Sequence, residues 1–348
     1  MNEMRRLAGI GLVLAVTAAA AGCGDDESQG TGGATTTTPG TGGGGTTTSP
    51  GAGGGGAGGG GNTGGGGGAP SDCDALPAGP IDPVVVLTVL DGSEDLAFDG
   101  KGRIAAKQGN NVVLVDAAQQ VTNLAALADT AYGLRYRPDG NLVVARPQPL
   151  NTVVEISPAG VVTTIAMNLG GPNGLYPDFD GNVWMTEFNA DRVSRINPDN
   201  SVDTIVSGNP EVNSPNGIVF DPTRMLLFYT NYGPGEIMKV NMAPGGDITP
   251  VLVTAIDGTS LDGLVLDACG NLYVVDQANS ELYRVKLDAL GAATGGAELL
   301  ASFQENVANA QFGSGPGFDP KTLYVAGVPG VVYAVAAGVA GAPVPTPP

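Results

Sequence analysis

No histidine occurs anywhere in the 348 residues. That absence excludes Ser-His-Asp triads, His-Asp dyads and zinc held by imidazole. Cations are scarce as well: 15 Lys and Arg stand against 34 Asp and Glu, a formal net charge of −19. Without a basic run to follow a phosphate backbone, nucleic acid is not an expected partner. Cysteine is limited to Cys23, Cys73 and Cys269. Residues 24–70 are mostly Gly and Thr, with almost no apolar side chains, so they cannot bury enough surface to offset chain entropy and read as a tether. At about 5–6 Å × √n for a Gly-rich coil, that tether has a mean span of about 40 Å.

What is present begins with a targeting segment. Arg5 and Arg6 precede an apolar run, residues 7–21, that ends in Ala20-Ala21-Gly22-Cys23. This resembles a bacterial lipobox and implies cleavage before Cys23 and lipidation of that residue; the run is short for an uncleaved membrane span. The expected organisation is a signal peptide (1–22), a lipidated Cys and tether (23–79), a folded domain (80–340) and a Pro-rich tail (341–348). The expected location is the bacterial cell envelope, with lipid as the only membrane attachment. Gly24 after the lipidated Cys favours the outer membrane. Cys73 and Cys269 remain for that oxidising compartment. A disulfide between them would pin the tether to the rim of the fold; two free thiols are the alternative.

One phrase recurs six times from residue 93 onward, as in YGLRYRPDGNLVVAR, PNGLYPDFDGNVWMTE and DGLVLDACGNLYVVD. Each copy is a short apolar strand, a turn rich in Asp, Gly, Pro or Asn, and a second apolar strand. The equivalent residues Glu94, Tyr132, Asn173, Asn216, Asp262 and Asn309 are spaced 38, 41, 43, 46 and 47 apart. Units of this length built from four short strands specify an all-β fold, a six-bladed β-propeller. In the third unit the strands are expected at 173–178, 183–187, 192–196 and 202–206. The sixth unit lacks a fourth strand after 331–336, and the unassigned run VVVLTVL at 84–90 supplies it, closing the ring with the N-terminal strand. Residues 116–130 could be read as a short helix; the register of the other units requires a turn and a strand.

Inner strands of a propeller run the same way along a central channel, so the six equivalent residues gather at one mouth. Two carboxylates and three amides there call for a compensating cation or protons. Oxygen donors without sulfur or imidazole select Ca²⁺, or else Mg²⁺ or Mn²⁺. Loops from second to third strands open on the same mouth and add Arg146, Glu187, Asn189, Asn231, Tyr232, Asp276 and Gln277 as an outer polar wall. The Asn-Gly and Asp-Gly pairs at 173, 216 and 262 also suit ordinary turns; the adjacent acids Glu94-Asp95 do not.

These phrases resemble those of the regucalcin and gluconolactonase family of six-bladed propellers, with NHL-repeat propellers as relatives, over about residues 83–337. Pro215-Asn216-Gly217, Leu261-Asp262-Gly263 and Phe312-Gly313 followed by Lys321-Thr322-Leu323-Tyr324-Val325 carry the likeness. It implies a divalent cation held by Glu94, Asn216 and Asp262, with Asn173 beside it on the substrate side. Two positions depart: Glu94 is followed by Asp95-Leu96 rather than Gly-Pro, and the Arg of the family's sugar lactonases is Gly171 here.

Two functional classes stay open on the sequence. One is a metal-dependent hydrolase of a small lactone or ester, with Asp262 as general base and Asn173, Arg146, Glu187 and Asn231 holding substrate. The other is a non-catalytic binding propeller that recognises an envelope protein or glycan around a structural ion.

Overall fold

The structure, a computed structural model, describes residues 72–347 except 128, 209 and 329. Cys23, the targeting segment and most of the tether lie outside the described residues. Six four-stranded antiparallel sheets account for the strands. Five blades follow the chain in order, and the sixth is completed by Val84–Leu87 pairing with Val332–Ala336. The closing strand is three residues shorter than the run 84–90. Residues 116–130 hold a turn and the strand Val121–Ala126, not a helix.

Burial grades outward within each blade. The inner strands Pro215–Asp221 and Leu261–Leu266 are buried throughout, whereas the outer strands Val121–Ala126 and Val202–Ser207 are half exposed. Inner strands are covered on both faces by neighbouring blades, which is why their sequences are apolar without alternation. Aromatic pairs fill the wedges between sheets. Trp184 stacks on Phe220 at 5.3 Å between the third and fourth blades, and Tyr273 meets Phe312 edge-on at 5.5 Å between the fifth and sixth.

The Asp-rich turns between first and second strands lie at the lower end of the channel, and their carboxylates serve the backbone. Asp178 accepts from the N–H groups of Asp180 and Asn182, Asp221 from Thr223 and Arg224, and Asp267 from Cys269 and Asn271. Much of the chain's acidity is thus turn chemistry.

The inner strands carry a feature that positions the site. Register shifts fall at Pro172/Leu175, Pro215/Ile218 and Leu261/Leu264, so each Asn-Gly or Asp-Gly pair sits in a bulge, not a turn. The glycines are required for closeness rather than for unusual backbone angles. A Cβ on Gly174 would collide with the carbonyl oxygen of Asn216, and one on Gly217 with that of Asp262. A threonine hydroxyl bridges each approach. Thr186 Oγ1 accepts from Gly174 N at 2.8 Å and donates to Asn216 O at 2.5 Å; Thr230 Oγ1 accepts from Gly217 N at 2.7 Å and donates to Asp262 O at 3.0 Å.

Both ends of the described chain pack under the fold. Cys73 and Cys269 form a disulfide, and Asp72 pairs with Lys321. Cys269 belongs to a lower turn, so the bond fixes this segment to the face opposite the mouth and not to the mouth's rim. Arg284, 1% exposed at its side chain, donates to Pro77 O and pairs with Glu298. The Pro-rich tail, described over 341–347, meets the lower face of the fold. Asp267 bridges to Gly341, Ala342 N donates to Leu266 O, and Ala342, Val344, Pro345 and Thr346 line one cavity with Phe98, Tyr136, Tyr176 and Phe312 at the lower ends of the inner strands.

Two outcomes test this architecture. Replacing Cys73 and Cys269 with serine releases a cross-link spanning 196 residues and is expected to lower stability by about 2–5 kcal/mol, measured by denaturant unfolding. Gly217→Ala forces the fourth and fifth blades apart and is expected to cost about 1–3 kcal/mol, whereas a loop glycine such as Gly295, which faces open space without a positive φ, should tolerate the change with less than about 1 kcal/mol lost.

Candidate functional site

In the third, fourth and fifth blades the bulges hold the second residue of the inner strand, Asn173, Asn216 and Asp262, while Glu94 and Tyr132 lie two residues before the inner strands of the first two blades. These five of the six equivalent residues line one basin. Glu94, Tyr132, Asn173, Asn216 and Asp262 form its floor, and Pro147, Gln148, Gly171, Phe188, Asn189, Tyr232 and Gln277 its walls, around a space of about 910 Å³ including the solvent at its mouth. Asn309, the sixth, lies beneath it and donates from Nδ2 to Asp262 Oδ1 at 3.4 Å.

Asp262 and Asn216 are 1% and 3% exposed, yet Asp262 Oδ2 and Asn216 Oδ1 have no hydrogen-bond partner within the protein. Buried oxygens without donors are rare and costly. The carboxyls respond. Burial and then the adjacent Asp95 push Glu94 up to about 8, with Lys107 pulling weakly the other way. Asp262 rises well above the carboxylate range through burial, then through Glu94 and Asp95. Two desolvated acids, Asp262 raised by Glu94 and both raised by Asp95, beside an orphaned amide oxygen, form a donor set short of positive charge. Among the described residues no group of three His, Cys, Asp or Glu side chains gathers into a metal cluster; the donors here are two carboxylates and an amide. Oxygen-only donors of this kind fit a hard divalent cation, and Glu94, Asn216 and Asp262 would hold it.

Asp95, next in sequence to Glu94, points elsewhere. It pairs with Arg135 of the second blade and accepts from the N–H groups of Leu96 and Leu134. Burial still leaves its carboxyl above the usual value despite Arg135. Tyr132 and Tyr232 are both raised by burial, then by the floor acids, so their phenols keep their protons and present O–H donors.

The outer wall differs from expectation. Glu187 and Asn231 are wholly buried and do not face the basin. Glu187 accepts from Arg192, Ser194 and Gly170 N; these bonds overcome its burial and hold its carboxyl below the usual range. Asn231 accepts from Asn213 N and donates to Glu211 O and Glu236. Asp276, in the same position of the fifth blade, accepts from Ser260 N and Ala278 N. The last residue of the second strand in these blades therefore organises the upper loops. Arg146, its counterpart in the second blade, is also absent from the lining. The residues one or two further on, Gln148, Phe188, Asn189, Tyr232 and Gln277, make the wall. Of these, Phe188 and Gln148 were not singled out from the sequence; their place one or two residues past that repeat position was the available signal.

The fold has many relatives of known structure. A gluconolactonase from Xanthomonas campestris is 17% identical with a TM-score of 0.59, covering 74% of this chain and 98% of its own. A luciferin-regenerating enzyme is 15% identical at 0.62, covering 76% and 99%. Regucalcin from Agrobacterium tumefaciens, a calcium-binding protein, is 16% identical at 0.60, covering 77% and 97%. No protein-family model and no curated protein matches the sequence. These likenesses show a shared fold, the six-bladed β-propeller.

The coupled carboxyls predict a pH dependence. With no cation bound, the folded protein keeps protons on Glu94 and Asp262 that the unfolded chain has already released. Stability is therefore full at pH below the ordinary carboxylate value of 4.5 and falls as pH rises through about 8. Melting temperature measured in chelator is expected to decline across that window. Glu94→Gln and Asp262→Asn should each flatten the decline and raise the melting temperature at pH 8.

Proposed function

We propose that this chain is a divalent-cation-dependent hydrolase of a small lactone or ester. The observation that carries the reading is the pair of orphaned buried oxygens, Asn216 Oδ1 and Asp262 Oδ2, beside the proton-hungry Glu94 at the floor of an open polar basin. The gluconolactonase among the structural neighbours, and the calcium-binding regucalcin, support the same choice. Ca²⁺ is the proposed ion, with Mg²⁺ or Mn²⁺ as substitutes of the same hard-donor preference. When bound, it would polarise the scissile carbonyl and favour the negative charge that develops on its oxygen.

The chain's own residues supply the remainder. Asp262 Oδ2 is the proton acceptor for an attacking water, since it has no competing donor and Oδ1 is steadied by Asn309. Asn173, 6% exposed and on the basin floor, orients the acyl group with its amide. Tyr132 stays protonated at neutral pH and donates to a substrate oxygen, while the Tyr232 hydroxyl is held by Gln277 Oε1. No covalent nucleophile is needed, consistent with a chain without histidine. The substrate contacts expected of Arg146, Glu187 and Asn231 pass to Asn189, Tyr232 and Gln277. The proposed setting is the bacterial cell envelope, at the outer membrane on its periplasmic or surface side, with the chain held by lipid on Cys23.

Hydrolysis of a panel of lactones and esters, measured with Ca²⁺, Mn²⁺, Mg²⁺ or chelator, tests the reading. Expected are turnover only with cation and a loss of about 10³-fold or more in kcat for Asp262→Asn. Turnover that ignores chelator overturns it. So does cation binding without turnover of any member, which would mark a non-catalytic binding propeller with a structural ion.

A further inference from the structure

Arg146, which does not line the basin, is left unanswered by the fold. The seven other described arginines each pair with an Asp or a Glu. Arg146 makes no ion pair and no hydrogen bond among the described residues, in a chain whose acids outnumber its Lys and Arg 34 to 15. Its side chain is half-buried: Nε is enclosed without an acceptor, while the two terminal nitrogens are not enclosed. We propose that Arg146 and Thr152 form an anion site, beside the basin at the top of the second blade, that takes a carboxylate from outside the chain. Such a site stands whether or not the basin is that of a hydrolase.

Strand pairing brings the two residues together. Arg146 ends the second strand of its blade, Leu142–Arg146, and Thr152 begins the third, Thr152–Ile156. They are direct cross-strand partners, which places their Cβ atoms about 4.5–5.5 Å apart on one face of the sheet. Alternation makes this the face of Val144 and Val154, which pack against Val112 and Leu114 of the first blade. The pair therefore caps the seam between those two blades. The loop joining the partners is closed on itself, since Leu150 N and Asn151 N both donate to Pro147 O at 3.0 Å. The basin begins one residue beyond Arg146, at Pro147 and Gln148.

The third blade shows what such donors hold. Its partners at the same cross-strand position are Glu187 and Arg192. The Glu187 carboxylate accepts from the Arg192 guanidinium, from Ser194 Oγ and from Gly170 N. A guanidinium and a hydroxyl thus grip a carboxylate that the chain itself supplies. In the fourth blade Asn231 and Glu236 close the same position with a hydrogen bond. In the second blade the guanidinium and the hydroxyl are present and the acid is missing. The planar fork of an arginine matches a carboxylate's two oxygens.

Unmet hydrogen bonding marks the same place. Enclosed side-chain atoms without a partner include the two oxygens of the basin floor, and three more fall within residues 146–152: Arg146 Nε, Asn151 Oδ1 and Thr152 Oγ1. Arg146 Nε and the Thr152 hydroxyl are already stripped of water, so a carboxylate toward which they turn gains their hydrogen bonds with little further desolvation. Asn151 Oδ1 is an acceptor and would oppose an anion; a half-turn of its amide offers Nδ2 in its place. The net charge of −19 repels anions in general, so capture at one arginine reports local donors.

The test reads the Nε–H resonance of Arg146 in ¹⁵N-labelled protein, identified by its loss in Arg146→Gln. The Nε–H resonances of the other arginines report that the variant is folded. Sodium acetate, titrated against sodium chloride at constant ionic strength, is expected to move the Arg146 resonance with half-saturation in the millimolar range. Thr152→Val is expected to weaken that binding about fivefold. A longer carboxylate with an amide end, 4-acetamidobutanoate, separates two sources of the anion. Affinity equal to that of acetate marks a free ion; tighter binding that also moves the Tyr132 ring resonances marks a carboxylate borne by a molecule in the basin. No movement with either carboxylate, an equal response to chloride, or affinity unchanged in Thr152→Val overturns the inference.

Discussion

Everything at the upper end of the channel depends on how closely the inner strands approach. Gly174 and Gly217 leave no room for a side chain because the next blade's carbonyl occupies the space, and Thr186 and Thr230 bridge the contact with one hydroxyl each. Those carbonyls belong to Asn216 and Asp262, the very residues whose side chains reach the axis. Backbone packing and the aim of the donors are therefore a single arrangement. A blade cannot loosen without moving a floor oxygen.

That arrangement has an electrostatic cost. Glu94, Asp95 and Asp262 are all desolvated; Asp95 raises Glu94, and both raise Asp262. Asp95 is relieved by Arg135 and by two backbone donors, and it behaves as a strut between the first two blades. Glu94 and Asp262 have no comparable relief. Partly satisfied buried groups are what folding alone would remove; their persistence at the focus of sixfold pseudo-symmetry is the mark of a site. The lower turns make the contrast plain, since Asp178, Asp221 and Asp267 are acids of the same repeat with every oxygen employed by the backbone or a neighbour.

Repeat phase explains what could be read from the residues. It located Glu94, Tyr132, Asn173, Asn216 and Asp262 at one mouth, and the missing outer strand of the last blade identified Val84–Leu87 as the closing strand. Phase does not say where a side chain points once the strand ends. Glu187 and Asn231 carry polar atoms at the right height but turn them to loop backbone, because the upper loops need buried acceptors and donors of their own. The wall then falls to residues such as Phe188, whose role depends on a single 3-10 turn, Phe188–Ala190, that no periodicity announces. The docking of residues 341–347 was hidden for a related reason: a stretch rich in proline reads as extended chain, and its partners are strand ends scattered over several blades.

The disulfide between Cys73 and Cys269 sets an orientation. It fastens the entering chain beneath the propeller, on the side remote from Glu94 and Asp262. The described chain therefore enters on the face opposite the basin, and its point of entry leaves the basin's mouth uncovered. A support joined directly at Asp72 would meet that opposite face and leave the basin open to small solutes.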